Sequence, residues 1–181
     1  MFDVKRNYKV VTNAFAIGDQ ITLADGFTAT CQKITHGGTI ALFLLDQYLD
    51  EAKTHEDAQA YMNKIFTESS IFYSVKEHVI PFKSGNALRL PYAEELFGPL
   101  VWVVPSGKKK WPLMKDRRNR IASRKDEEYE WGWLANQNKV YASQFALVNN
   151  YGLGGFADCN GASTTASVRP VFRLRNADGS L

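Results

Sequence analysis

Nine basic side chains fall within the stretch "SGKKKWPLMKDRRNRIASRKDEE": Lys108, Lys109, Lys110, Lys115, Arg117, Arg118, Arg120, Arg124 and Lys125. Cations at that density can neutralise successive phosphates of a nucleic-acid backbone, and Trp111 among them offers a ring on which a base could stack. The same stretch carries Asp116, Asp126, Glu127 and Glu128. A solvated loop that partly neutralises itself is therefore the other reading. On the first, Lys108, Lys109, Lys110, Trp111, Arg117, Arg118 and Arg120 are the candidate nucleic-acid contacts.

A second segment has the opposite character. Between Trp133 and Ser167 only Lys139 and Asp158 carry charge, and the rest is largely Asn, Gly, Ala, Ser, Thr and Tyr. Such a stretch cannot build a core and is expected to run as turns and short strands over one end of the fold. It is also the composition of a recognition surface: Tyr gives rigid contact area at low entropic cost, while Asn, Ser and Gly adapt their hydrogen bonds. The candidate ligand contacts are Asn136, Gln137, Asn138, Tyr141, Ser143, Gln144, Asn149, Asn150, Tyr151, Phe156, Asp158, Asn160, Ser163 and Thr164. An ordinary loop rich in Gly and Asn would have the same residues.

Catalysis has no comparable foothold. No G-x-S-x-G, H-E-x-x-H or Walker loop occurs, and "GLGGF" at 152–156 is followed neither by Lys-Ser/Thr nor by a helical run. Glu94–Glu95 and Glu127–Glu128 are sequence neighbours, which point apart on a helix or strand and make poor acid/base pairs. His36, beside Gly37 and Gly38, reads as a turn residue; His55 and His78 read as surface residues without a second ligand at metal spacing. Cys31 and Cys159 make no metal pattern, and a single bridge between them stays open. The expectation is a protein that is not an enzyme, with no catalytic residue, no metal and no cofactor.

The elements that would hold these segments are readable in outline. "YKVVTNAFAI", "FTATCQKI" and "IALFLL" read as strands, with Phe27, Ala29, Cys31 and Lys33 on one face of the second, a turn at "THGGT", and Ile40–Leu45 as a fully buried central strand. Thr54 and Asp57 form a capping pair ahead of an apolar stripe, Ala58, Tyr61, Met62 and Ile65. A second helix is expected at "SSIFYSVKEHVI", stopped by Pro81, and a short third one in "LPYAEELFG", between Pro91 and Gly98. "PLVWVVP" reads as a strand. "VRPVFRL" reads as a closing strand that clamps the loop-rich region, with Pro170 suited to a strand's edge or start and Arg169 buried as a hydrogen-bonding anchor. Strands, then helices, then a loop-rich end make an α+β domain.

At 181 residues, 45% apolar and 23% charged, with a net charge of +3, the chain is expected to be one folded domain spanning 1–181 with its recognition region at 134–167. "MFDVKRNYKVVTNAF" lacks a secretory signal's apolar segment, and nothing approaches the roughly 18 apolar residues of a membrane span. Synthesis in the cytoplasm and no membrane insertion are expected. Association with a virion needs no signal and stays open.

"EWGWLANQ", "FALVNNYG" and "ASVRPVFRL" resemble the C-terminal half of C-type-lectin-like domains of the formylglycine-generating-enzyme type. They are most similar to a family of small phage and bacterial domains that end in W-W-L-R-S, a V-N-x-x-G turn and G-V-R-P plus an apolar strand. "IALFLLDQYLD", "LRLPYAEELFG" and "MKDRRNRIAS" resemble that family's early buried strand, its L-L-S-x-x-E-A segment and its arginine-bearing loop. The chain departs where Ala135-Asn136-Gln137-Asn138 stands for Arg-Ser-Pro-Gly and where Ser167 stands for glycine. It also lacks the cysteine context of the enzymes and the calcium motifs of sugar-binding lectins.

The resemblance implies a C-type-lectin-like fold of small antiparallel sheets, two or three helices and a long loop-rich C-terminal region. Its implied activity is non-enzymatic recognition of a protein or glycan on a host surface, as in a phage receptor-binding protein. Some members are variable proteins of diversity-generating retroelements, in which asparagine codons near the C-terminus are rewritten. The competing classes are a nucleic-acid-binding or host-inhibitory protein acting through 108–125, and a structural virion subunit that forms oligomers.

Overall fold

The computed structural model describes residues 4–5, 14–125, 128–154, 159–161 and 164–176, with 4–5 and 159–161 described as backbone. It is α+β with small antiparallel sheets and few helices, built around β4 (Ile40–Leu45). A strand that is apolar at every position must be covered on both faces. Ala41, Phe43 and Leu45 lie in one buried cluster, while Leu42 and Leu44 lie in a second. The first sheet is antiparallel, in the order β1 (Val4–Lys5), β2 (Gln20–Thr22), β3 (Thr28–Thr35), β4 and β10 (Val171–Arg175).

The alternation expected along β3 holds for Phe27, Ala29 and Cys31 and then breaks. A bulge between Cys31 and Lys33 shifts the register, so Gln32 is buried and Lys33 is not on the buried face. Cys31 is a fully buried free thiol, and burial pushes its pKa up to about 12. No bridge to Cys159 involves it.

One side of β4 is covered by α1 (His55–Glu68), which follows β5 (Lys53–Thr54). Thr54 caps it by accepting from the Asp57 N–H at 3.1 Å, and Ala58, Tyr61 and Met62 enter the first cluster. The expected second helix does not form. Ser69 ends α1 and also accepts from the Ile71 N–H, opening 3₁₀ turns at Ser70–Phe72 and Lys76–His78 that bury Ile71, Phe72 and Val75. The short third helix is α2 (Ala93–Phe97), ended by Gly98 at a positive φ of 91°.

The other cluster lies under α2, Trp111, Met114 and the second sheet. That sheet runs β6 (Gly132–Gln137), β7 (Gln144–Val148) and β8 (Cys159–Gly161), all antiparallel. "PLVWVVP" is not a strand: Val103 alone makes a bridge, to Asn138, while Val101 and Val104 face solvent. The expected first strand falls mostly on residues outside those described. A two-stranded pairing of β5 with β9 (Thr165–Ala166) leads the chain back to β10, at the edge of the first sheet. No helix among the described residues is long and apolar enough to cross a membrane.

Candidate recognition surface

The register of β6 and β7 decides where the polar segment can act. Gly132 faces Val148 and Gln137 faces Phe145. The turn carrying Asn138, Tyr141 and Ser143 therefore lies at one end of the sheet, and the loop carrying Asn149, Asn150 and Tyr151 lies at the other. Among the described residues the stretch thus reaches both ends of the sheet, where the sequence predicts turns and short strands over one end of the fold.

The asparagines also depart from it. Asn136 is buried, 3% exposed: its Oδ1 accepts from the Ala93 N–H at 2.6 Å, and its Nδ2 donates to Glu94 Oε2 at 2.8 Å and to the Val104 carbonyl at 2.9 Å. It ties α2 and the 104 segment to β6 and is no ligand contact. Asn138 Oδ1 accepts from the Val140 and Tyr141 N–H groups, and Asn149 Oδ1 accepts from those of Tyr151 and Leu153. Each side chain shapes its own turn. Gln137 donates to the Ala142 carbonyl, and Gln144 accepts from Asn138 at 3.4 Å. Tyr141, Ser143, Tyr151 and Thr164 are exposed and Asn150 is half-buried. Phe156, Asp158 and Ser163 lie outside the described residues, and Asn160 is described as backbone.

At the Gly132 end, three aromatic side chains face solvent: Tyr129 at 60%, Trp131 at 43% and Tyr151 at 67% exposure. Tyr129 stands between two open grooves. One, of ≈ 370 Å³, includes Trp131, Arg124, Glu130 and Thr165; the other, of ≈ 570 Å³, includes Arg117, Ile121, Asn150 and Tyr151. Sequence reasoning placed Tyr151 here and missed Tyr129 and Trp131, which flank the charge-poor segment rather than belonging to it.

The backbone next to Tyr151 is held by a relay of arginines. Arg169, 6% exposed, donates from Nε to the Leu45 carbonyl at 2.6 Å and from one terminal nitrogen to the Asn119 and Arg120 carbonyls at 3.2 and 3.4 Å. Arg120 in turn donates to the Met114 carbonyl at 2.7 and 2.9 Å and to the Gly152 carbonyl at 3.4 Å. The anchoring role expected of Arg169 is what the geometry shows. Burial lowers its pKa, opposed by Tyr48 and Asp46. Close packing completes the end: a Cβ on Gly132 would meet the Tyr48 hydroxyl at 2.4 Å, and one on Gly152 the Arg117 carbonyl at 2.6 Å. On the same edge Arg124 grips both oxygens of Glu130, which also accepts from Ser167.

The basic segment does not make a stacking platform. Trp111 is 1% exposed and packs in the second cluster, with its backbone N–H donating to the Glu95 carbonyl at 2.8 Å, so no base can reach its ring. Arg120 is spent on carbonyls and lies over the Phe97 ring at 5.2 Å. Arg118 pairs with Asp116, whose carboxyl its guanidinium holds at about 2. Lys108, Lys109 and Arg117 are exposed, and Lys110 is half-buried. Of the carboxylates expected to neutralise this loop, Asp126 and Glu127 lie outside the described residues.

His55, expected at the surface, is half-buried at the rim of a groove. Its ring stacks on Phe145 at 3.6 Å, meets Trp133 edge-on, and shares a hydrogen bond with the Leu134 carbonyl at 3.1 Å; burial lowers its pKa. His36 sits at the turn as expected, with φ 54°, and His78 is exposed. Glu94 and Glu95 are both buried in separate hydrogen-bond sets, Glu94 with the Ser106 N–H and Asn136, Glu95 with Arg89 and the Tyr92 N–H. Among the described residues no three His, Cys, Asp or Glu side chains gather where they could hold a metal. No family model, no curated protein and no solved structure matches the chain.

Proposed function

We propose that this chain is a non-enzymatic recognition protein of C-type-lectin-like fold that binds a protein surface with Tyr129, Trp131 and Tyr151. The observation that carries the reading is their convergence: exposed aromatic rings from two chain segments meet around two open grooves, the loop of Tyr151 being held by Asn149 and Arg120 and the neighbouring 119–120 segment by Arg169. Rigid aromatic area on a fixed loop is what makes a protein contact strong, because little entropy is lost on binding. A phage-encoded binder of host surfaces, carried on a virion, is the setting this surface suits. Diversification by a retroelement is then confined to side chains that face solvent, such as Tyr141, Ser143 and Tyr151. Rewriting Asn136, Asn138 or Asn149 would remove hydrogen bonds that the backbone uses.

The test places a photo-crosslinking side chain at position 151 or, as a control from the opposite end of the sheet, at 141. Each protein is incubated with surface-protein extract from bacterial cells. Adducts at 151 that the parent protein competes away, and that a Tyr129→Ser/Trp131→Ser variant of the probe fails to form, support the proposal. Adducts at 141 alone, or adducts indifferent to those substitutions, overturn it. Retention on a glycan array through the same rings would replace protein by glycan as the ligand class. Binding to arbitrary duplex DNA that falls steeply with salt and disappears when Lys108–Lys110 are replaced would favour the nucleic-acid reading.

A further inference from the structure

A groove of ≈ 690 Å³ lies away from the Tyr129 surface and shares no lining residue with its grooves. Four cationic side chains from three segments line it, Lys83 and Arg89 from one loop, Lys108 and Arg173, and no carboxylate is among the lining residues. Their charges are not equally spoken for. Arg89 is held by Glu95 through two hydrogen bonds, at 2.8 and 2.6 Å. Arg173 donates from Nε to the Ile80 carbonyl at 3.3 Å, and no described residue takes its two terminal nitrogens. Lys83 and Lys108 are exposed and make no ion pair among the described residues.

Arg173 and Arg89 both lie over the Phe82 ring, at 4.6 and 4.9 Å, while Arg89 and Lys108 lie over Tyr92, at 4.9 and 5.7 Å. The rings thus gather cations around one concavity, in which Glu95 answers the charge of Arg89 and no described carboxylate pairs with Arg173, Lys83 or Lys108. The pKa of Arg173 is lowered, first by burial and then by the charge of Arg89. A single carboxylate would leave most of this charge unmet, whereas the planar fork of an arginine and two mobile ammonium groups suit several phosphate oxygens at once. The volume suits a small molecule rather than an extended polymer. Because the ring faces are already covered by cations, base stacking adds little.

We propose that this groove binds a small, multiply charged phosphate compound, with the Arg173 terminal nitrogens, Lys83 and Lys108 as its contacts and the Glu95-fixed Arg89 as a supporting charge. The experiment is isothermal titration of the full chain with inorganic triphosphate and with adenosine triphosphate as probes. Both are expected to bind with similar, sub-millimolar affinity. Lys83→Ala and Lys108→Ala, both at exposed positions, are each expected to weaken binding by roughly 3–10-fold and Arg173→Gln by roughly tenfold or more. Lys109→Ala, outside the groove, is expected to change nothing. The two lysine variants keep the test decisive if Arg173→Gln fails to fold. No heat with either probe at about 1 mM, equal losses for Lys109→Ala and Lys108→Ala, or tighter binding to arbitrary duplex DNA than to triphosphate would each overturn the proposal. The first two outcomes do not bear on Tyr129, Trp131 or Tyr151, so through them this proposal fails while the recognition reading stands; the duplex-DNA outcome alone counts against both.

Discussion

Replacing Arg169 by Met tests whether one buried guanidinium holds the recognition end together. Met keeps most of the aliphatic stem's packing and removes the donors. Two contacts are short, to the Leu45 carbonyl at 2.6 Å and the Asn119 carbonyl at 3.2 Å, and the third, to the Arg120 carbonyl, is long at 3.4 Å. Hydrogen bonds from a charged donor contribute about 1.5–3 kcal/mol each, so the two short ones sum to roughly 3–6 kcal/mol. Met avoids the desolvation of a buried cation, which offsets part of the loss. A net destabilisation of about 2–4 kcal/mol results, a large share of the roughly 5–15 kcal/mol of a typical domain. Urea unfolding followed by tryptophan fluorescence measures it, and the melting temperature should fall by about 5–15 °C. Hydrogen exchange supplies the local signature: amides at 117–121 and 149–153 should speed up beyond the global change, because Arg120 is itself held by Arg169 and holds Gly152. Arg169→Lys should recover little, since one ammonium cannot span carbonyls on both segments. Stability within about 1 kcal/mol of the parent, with unchanged exchange in both segments, would refute the relay.

Gly152→Ala puts a Cβ 2.6 Å from the Arg117 carbonyl at a φ of +70°, and should cost roughly 2–3 kcal/mol by urea unfolding, with the loss concentrated in 149–153 by hydrogen exchange. His55 is held below the ordinary histidine value by burial, so the unfolded chain binds its proton more readily than the folded one. Its contribution is complete above about pH 6.5 and is lost as pH falls below it toward the folded value; the urea midpoint should drop between pH 7.5 and 5.5 in the parent and drop less in His55→Gln. Cys31, fully buried and with its thiol pushed up to about 12, should resist iodoacetamide at pH 8 until urea is added, as read by peptide mass. Native-state labelling of Cys31 at a rate near that of a free thiol would contradict its placement.

The parts of the fold legible in the sequence are those where one physical demand dominates. β4 is readable because a strand covered on both faces leaves no room for a polar residue, and α1 because a capping pair and an apolar stripe agree. The stretch 69–80 misleads because Ile71, Phe72 and Val75 have helix-like spacing, while Ser69 turns its hydroxyl to the Ile71 N–H and two short turns bury the same side chains. "PLVWVVP" misleads for a related reason: its composition suits a strand, yet of its valines only Val103 finds a covered place. The cationic groove was beyond reach, since Lys83, Arg89, Lys108 and Arg173 meet through the tertiary fold and no local spacing joins their three segments.

The asparagines carry the more general lesson about loop composition. A small polar side chain can serve a partner or its own backbone, and burial together with the direction of its hydrogen bonds separates the two uses. Asn136, Asn138 and Asn149 spend their carbonyl oxygens on nearby N–H groups, which leaves Tyr129, Trp131 and Tyr151 to face outward. The division is economical in entropy: a turn locked by its own asparagine loses little on binding, so contact area on its rings is not offset by ordering the loop. It follows that Asn149→Ala should weaken binding at the Tyr151 surface without contributing a contact there. A fall in affinity that tracks faster amide exchange at 149–153 would show the asparagine acting through the backbone, whereas weaker binding with unchanged exchange would return it to the list of direct contacts.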